Sequence, residues 1–263
     1  MTRLDGDIWL MNLARGVSTR FTFGPGRSYD PVWSPDGTRI VFASDRDGGV
    51  FNLYQKVASG AKDEQLLLKS PANKIPTSWS RDGRFLLYNT QTPKTHVWVL
   101  PLDPDGRKAA EPQPFIRTES QDPHANFDDA GFSPDSRWVA YGSDESGHNE
   151  IYVRAFTPSS VGGFSDGGRW MVSRGANDTG SFWVDGGRKL VYLASDFKMT
   201  AVDITANPTF QAGEPRALFQ YPATAAYFAG DGRMLIALPV GPSAPAPFTV
   251  VLNWPSGLKK SGQ

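Results

Sequence analysis

The sequence predicts an all-β propeller made of four-stranded antiparallel blades, and three observations carry that expectation. An aromatic residue, a tight turn and an apolar strand recur as one unit five times. The copies are Trp33-Ser-Pro-Asp-Gly-Thr-Arg-Ile-Val-Phe42, Trp79-Ser-Arg-Asp-Gly-Arg-Phe-Leu-Leu-Tyr88, Phe132-Ser-Pro-Asp-Ser-Arg-Trp-Val-Ala-Tyr141, Trp183-Val-Asp-Gly-Gly-Arg-Lys-Leu-Val-Tyr192 and Phe228-Ala-Gly-Asp-Gly-Arg-Met-Leu-Ile-Ala237. Their aromatic anchors stand 46, 53, 51 and 45 residues apart, and a period of about fifty is the length of one four-stranded blade. The second observation is punctuation: 27 glycines and 21 prolines cut the chain into short pieces that suit strands. The third is the scarcity of apolar residues in amphipathic helical register.

Each unit opens on an inner strand that ends at the aromatic anchor. Ser-Pro-Asp-Gly then makes the turn, with Pro fixing φ and Gly free to take positive φ. The apolar run, such as Ile40-Val41-Phe42, is the second strand. A third, β-rich strand follows at 51–57, 96–102, 150–156 and 199–204, and a fourth, outer strand at 65–69, 113–117, 169–173 and 216–220. Blades therefore begin near residues 31, 77, 130, 181 and 226 of one domain spanning 1–263. Segments 7–13 and 18–23 read as third and fourth strands, and 248–254 as a third strand. The N- and C-terminal strands are expected to meet in a closing blade, since an open ring would leave strand edges and apolar faces exposed. Five blades is the favoured count and six the alternative. Residues 242–247 read as a loop and 257–263 as a solvated tail.

Composition narrows the function. With 27 basic and 27 acidic side chains the formal charge is zero, which argues against a nucleic-acid module needing a basic surplus to neutralise phosphates. The absence of cysteine excludes disulfides, thiolate-bound zinc, iron–sulfur clusters and a thiol nucleophile. No run of 18 apolar residues offers a membrane span, and no apolar leader follows Met1. A soluble monomer or weak oligomer is expected, with no membrane insertion of this chain.

The repeats resemble the TolB-like, WD-type propeller family, in which an aromatic precedes Ser-Pro-Asp-Gly and an apolar strand. Residues 7–260 are most similar to the C-terminal propeller of Acidobacteria-type bacterial serine/threonine protein kinases. The carrying segments are 7–23, Asn149-Glu-Ile-Tyr-Val-Arg-Ala-Phe156, and Thr249-Val-Val-Leu-Asn-Trp254 with its Gly-Leu-Lys-Lys ending. That resemblance implies a sensing or binding propeller whose parent is membrane-anchored with the propeller extracytoplasmic, and this chain reads as a fragment of such a protein. The parts of a kinase are missing from it: no Gly-rich loop with a downstream Lys, no His-Arg-Asp loop and no Asp-Phe-Gly.

In a propeller the loops from outer strand to next inner strand, and from second strand to third, surround the channel mouth. The densest polar run there is Gln121-Asp-Pro-His-Ala-Asn-Phe-Asp-Asp129. The candidate ligand-binding residues are Asp30, Asp122, His124, Asp128, Asp129, Asp178 and His148. Asp30, His124, Asp128 and Asp129 offer oxygen and imidazole ligands to a divalent cation (Ca2+, Mn2+ or Zn2+) in the channel. Such a cation would polarise a carbonyl or acidify a water, with His124 and Asp128 as catalytic candidates. The bland reading gives these carboxylates and His124 to solvated loops. The turn residues Asp36, Asp82, Asp135, Asp185 and Asp231 recur once per blade and read as turn stabilisers, with Ser34, Ser80 and Ser133 beside them. Trp33, Trp79, Phe132 and Trp183 read as anchors between blades, and Arg46, Arg81, Arg84, Arg137 and Arg188 as solvated charge. Two functions follow: a module binding a protein, peptide or small molecule, and, as the alternative, a metal-dependent hydrolase or lyase of lactonase, esterase or phosphotriesterase type.

Overall fold

The computed structural model describes residues 6–91, 96–117, 130–144, 146–159, 163–164, 167–175, 179–206 and 209–220, and backbone alone at 91, 117, 225–228, 234–237 and 248–251. The expected repeat is what forms. Blade one is β3 (Ser28–Trp33), β4 (Arg39–Ser44), β5 (Asn52–Val57) and β6 (Gln65–Leu68), after an N-terminal pair β1 (Trp9–Asn12) and β2 (Val17–Arg20). Blade two is β7 (Asn73–Trp79), β8 (Phe85–Gln91), β9 (His96–Pro101) and β10 (Gln113–Arg117). Blade three is β11 (Gly131–Phe132), β12 (Trp138–Ser143), β13 (Glu150–Ala155) and β14 (Arg169–Met171). Blade four is β15 (Thr179–Val184), β16 (Lys189–Leu193), β17 (Lys198–Ala206), β18 (Phe210–Ala212) and β19 (Arg216–Gln220). The last sheet is β20 (Ala225–Phe228), β21 (Met234–Ala237) and β22 (Phe248–Val251).

Every sheet is an antiparallel meander in chain order, apart from blade four, where β18 and β19 both pair with β17. Among the described residues there are six sheets, matching a count of five or six blades, and the sole helical element is a 3-10 turn at Asp185–Gly187. β1 pairs with β2 and β22 with β21.

The turns between first and second strands show why this sequence folds so. Ser34 Oγ donates to Asp36 Oδ1 at 2.5 Å and accepts the Arg39 N–H at 2.9 Å. Ser80 repeats this with Asp82 and Phe85, and Ser133 with Asp135 and Trp138. Hydroxyl and carboxylate thus satisfy the backbone of a four-residue turn, which is why the motif recurs. These contacts hold the Asp36 carboxyl at about 2, led by the Ser34 hydroxyl and then the Thr38 N–H and hydroxyl. The next residue takes positive φ, as Gly37 at 69° and Gly83 at 76°. Ser136 accepts the same conformation at 57° and its Oγ receives the Arg81 N–H of the preceding blade at 2.8 Å.

Apolar burial lies between blades. Leu86 and Tyr88 pack toward blade one with Val41, Leu53, Leu67 and Leu68, while Leu87, Val97 and Val99 face blade three with Val139, Tyr141 and Tyr152. One strand therefore feeds two cores by alternation. At the second of them Phe156 meets Phe132, Phe85, Phe164 and Phe115 at 4.8, 5.2, 5.2 and 5.6 Å between ring centroids. β18, which the repeat pattern does not foretell, carries Phe210 to Trp138 and Trp170 of blade three.

Two expectations are corrected. Arg46 is not solvated: its side chain is 12% exposed, pairs with Glu64, and lies over the Tyr54 ring at 4.6 Å. A carboxylate that also accepts the Phe23 N–H and faces Lys56 at 3.6 Å draws it in. Trp33 is 49% exposed, unlike Trp183, whose indole N–H reaches the Gly131 carbonyl of the previous blade at 3.1 Å. β1 and β2 bring Ile8 and Phe21 against Ile40, Phe42 and Tyr54 and leave the indole outside that cluster.

Candidate functional site at the channel mouth

Each of three inner strands carries a bulge at the same height. Asp30 and Pro31 oppose Phe42, Thr77 is inserted opposite Tyr88, and Gly180 and Ser181 oppose Tyr192. A bulge turns side chains out of the alternating pattern and is a common device beside functional sites. Here it repeats around the axis two or three residues before the aromatic anchor of each inner strand. Asp30 holds φ of 52° and is exposed, a conformation that Asp tolerates better than most residues.

Next to Asp30 is a built cation on an aromatic base. Arg27 donates its backbone N–H and Nε to the two oxygens of Asp45 at 2.6 and 2.9 Å. Its guanidinium lies over Phe51 at 5.3 Å and Tyr29 at 6.0 Å, and those rings are 5.8 Å apart. The Arg27 side chain remains 57% exposed. Burial works against ionisation of Asp45, but the Arg27 N–H and guanidinium outweigh it and hold the carboxyl below its ordinary value. The same contacts raise the guanidinium, so the pair stays charged. Such a group presents unused guanidinium N–H donors to solvent over a flat apolar surface.

Beneath it a buried lysine ties blade one to blade two. Lys74 Nζ donates to Asn52 Oδ1, the Ser70 carbonyl and the Ala72 carbonyl at 2.9, 3.1 and 2.6 Å, and Asn73 Oδ1 accepts the Phe51 N–H at 3.0 Å. All three ammonium protons are used on neutral oxygens. Burial pushes the ammonium down to about 8. The lysine thereby fixes the connection leading into β7 and the floor under Phe51.

Of the sequence candidates, Asp30 lies at the bulge of the inner strand β3 and His148 in the exposed loop between β12 and β13, where Ser146 Oγ donates to its carbonyl at 3.1 Å. The two stand in different blades, one inner and one peripheral. Asp122, His124, Asp128, Asp129 and Asp178 lie outside the described residues. Among the described residues no three His, Cys, Asp or Glu side chains group as a metal site. The sequence reading passed over Arg27, Tyr29, Phe51 and Lys74. Arg27 and Tyr29 stand just before Asp30 at the start of β3, and their separation from Phe51 along the chain hid the platform.

No family model matches the chain. Among curated proteins it is similar to the uncharacterized peptidase YuxL of Bacillus subtilis (strain 168), 26% identical over 180 residues, covering 56% of this chain and 27% of that protein. It is 38% identical over 60 residues to the uncharacterized protein Atu1656 of Agrobacterium fabrum, covering 23% of this chain and 20% of that one. The chain thus spans about a quarter or less of the curated relatives it matches. Among solved structures it superposes on TolB from Acinetobacter baumannii with a TM-score of 0.69 at 15% identity, over 93% of this chain and 56% of that one. A TolB from Agrobacterium tumefaciens gives 0.62 at 18% identity over 81% and 74%. An oligogalacturonate lyase in complex with manganese gives 0.55 at 18% over 90% and 66%. With the repeated sheets, these likenesses define the fold: a β-propeller, shared with the TolB structures. Among the described residues no helix is long and apolar enough to cross a membrane.

Proposed function

We propose that this chain is a binding propeller, recognising a peptide, protein or small molecule at the channel mouth beside Asp30. It is related to the C-terminal propeller of Acidobacteria-type serine/threonine kinases and has no kinase activity of its own. The observation that supports this most is the Arg27 guanidinium, braced by Asp45 on the Tyr29 and Phe51 rings and open to solvent. A cation held over aromatic faces suits a ligand with an anionic group attached to an apolar or planar body. Isothermal titration with short peptides and sugar acids tests it. A binder should lose at least about tenfold in affinity in Arg27→Ala, the loss expected for one charge-assisted contact, with the melting temperature retained. Binding indifferent to Arg27 and Asp30 would overturn the reading.

The alternative is a metal-dependent hydrolase or lyase using Asp30, His124, Asp128 and Asp129. It draws support from the exposed Asp30 at the bulge of the inner strand β3 and from the fold shared with the manganese-bound lyase, a likeness of fold alone. Metal analysis of the purified chain, with lactone and phosphotriester substrates, separates the two. Turnover lost in His124→Ala or Asp128→Ala would favour the enzyme.

A further inference from the structure

We infer that the opposite end of the ring is a second interaction surface, a collar of arginines that docks an acidic polypeptide segment. The turns joining first and second strands abut from blade to blade. Pro35 lies 3.9 Å from the Cβ position of Gly83, the Arg81 N–H bonds Ser136 Oγ at 2.8 Å, and Pro134 lies 3.3 Å from the Cβ position of Gly187. Across blades one to four they form one continuous arc at the far end of the channel. The turns 34–39, 80–84, 133–137 and 185–189 carry six basic side chains (Arg39, Arg81, Arg84, Arg137, Arg188 and Lys189) against four carboxylates.

The carboxylates are committed. Asp82 and Asp135 each accept the turn serine hydroxyl and the backbone N–H of Arg84 or Arg137, and Asp185 takes Arg188 and Lys189. Holding Arg84 and Arg137 by their backbones leaves their side chains outward. Arg81, Arg84 and Arg137 are exposed and make no ion pair among the described residues. Arg84 rests over the Phe85 ring at 5.3 Å, which keeps one guanidinium plane presented. Recurrence on successive blades spaces the guanidinium forks roughly one sheet packing distance, about 10 Å, apart. Three residues of extended peptide cover the same span, so carboxylates in every third position reach successive forks and pair bidentately. A surplus of only two charges is too small to hold a nucleic acid through counterion release, which needs many phosphates neutralised together.

Fluorescence anisotropy of the full chain with a labelled peptide repeating Glu-Gly-Gly, and in a second arm with single-stranded DNA, tests this. Binding of the peptide is expected at low salt and should weaken as the Debye length shrinks. In Arg84→Glu/Arg137→Glu, and separately in Arg81→Glu/Arg137→Glu, it should fall at least about tenfold. Arg27→Ala should leave it unchanged, so loss of the mouth reading and loss of this one are distinguishable. Unchanged melting temperatures certify the fold, and the second double variant spares the Phe85 contact. Peptide binding that is absent, that stays at the level of the unsubstituted chain in both double variants, or that is weaker than DNA binding overturns the inference.

Discussion

Ser80 is wholly buried, and its hydroxyl both donates to Asp82 and accepts the Phe85 N–H. Replacing it by Ala leaves that N–H without a partner, so Ser80→Ala should cost about 1–3 kcal/mol, read from urea unfolding. The same pairing in three blades was legible in the sequence, because a turn that satisfies its own backbone is a local matter of four residues. Lys74 was not legible, since one of its three acceptors, Asn52, comes from the neighbouring blade, and the Ser70 and Ala72 carbonyls reach it only through the fold of the connection. Its folded-state pKa of about 8 lies below the unfolded value of 10.5. Between those values the folded chain holds fewer protons than the unfolded one, so stability rises with pH across the window. Lys74→Met should lack that rise when melting is followed from pH 8 to 10.5.

A blade is held through its faces. Phe156 follows β13 and touches four other phenylalanines between blades two and three. Phe156→Ala is expected to destabilise by about 3–5 kcal/mol, measured by denaturant titration. The N-terminal pair depends on charge as well. Glu64 accepts from Arg46 and the Phe23 N–H and faces Lys56, which itself donates to the Phe21 carbonyl at 2.8 Å. Removing one partner of a buried pair costs about 3–5 kcal/mol. Arg46→Ala should show a loss of that order, with the region around Phe21 and Phe23 exchanging amide hydrogens faster. Strand periodicity located nearly every strand, because alternation and turn residues are local signals. It could not locate β18, nor the burial of Arg46, both of which are set by neighbours distant in sequence.

For the ring as a molecule, the two ends differ in chemistry. One end carries Asp30 and the Arg27 platform, and the other the abutting turns with their arginines. A net charge of zero conceals that division, because composition sums over faces that the fold separates. The channel-mouth assignment of the loops followed from strand order alone, whereas the contents of the mouth depend on rings and ions meeting across loops. The chain has no native cysteine, so paired spin labels report directly on whether the ends are separated in this way. Labels at Arg137→Cys and His148→Cys should lie about 20 Å or more apart, since six residues of β12 stand between the two faces. Labels at Arg81→Cys and Arg137→Cys, on adjoining turns, should lie well inside that distance. Two similar distances, or the reverse order, would contradict a ring of blades with one mouth and one arginine collar.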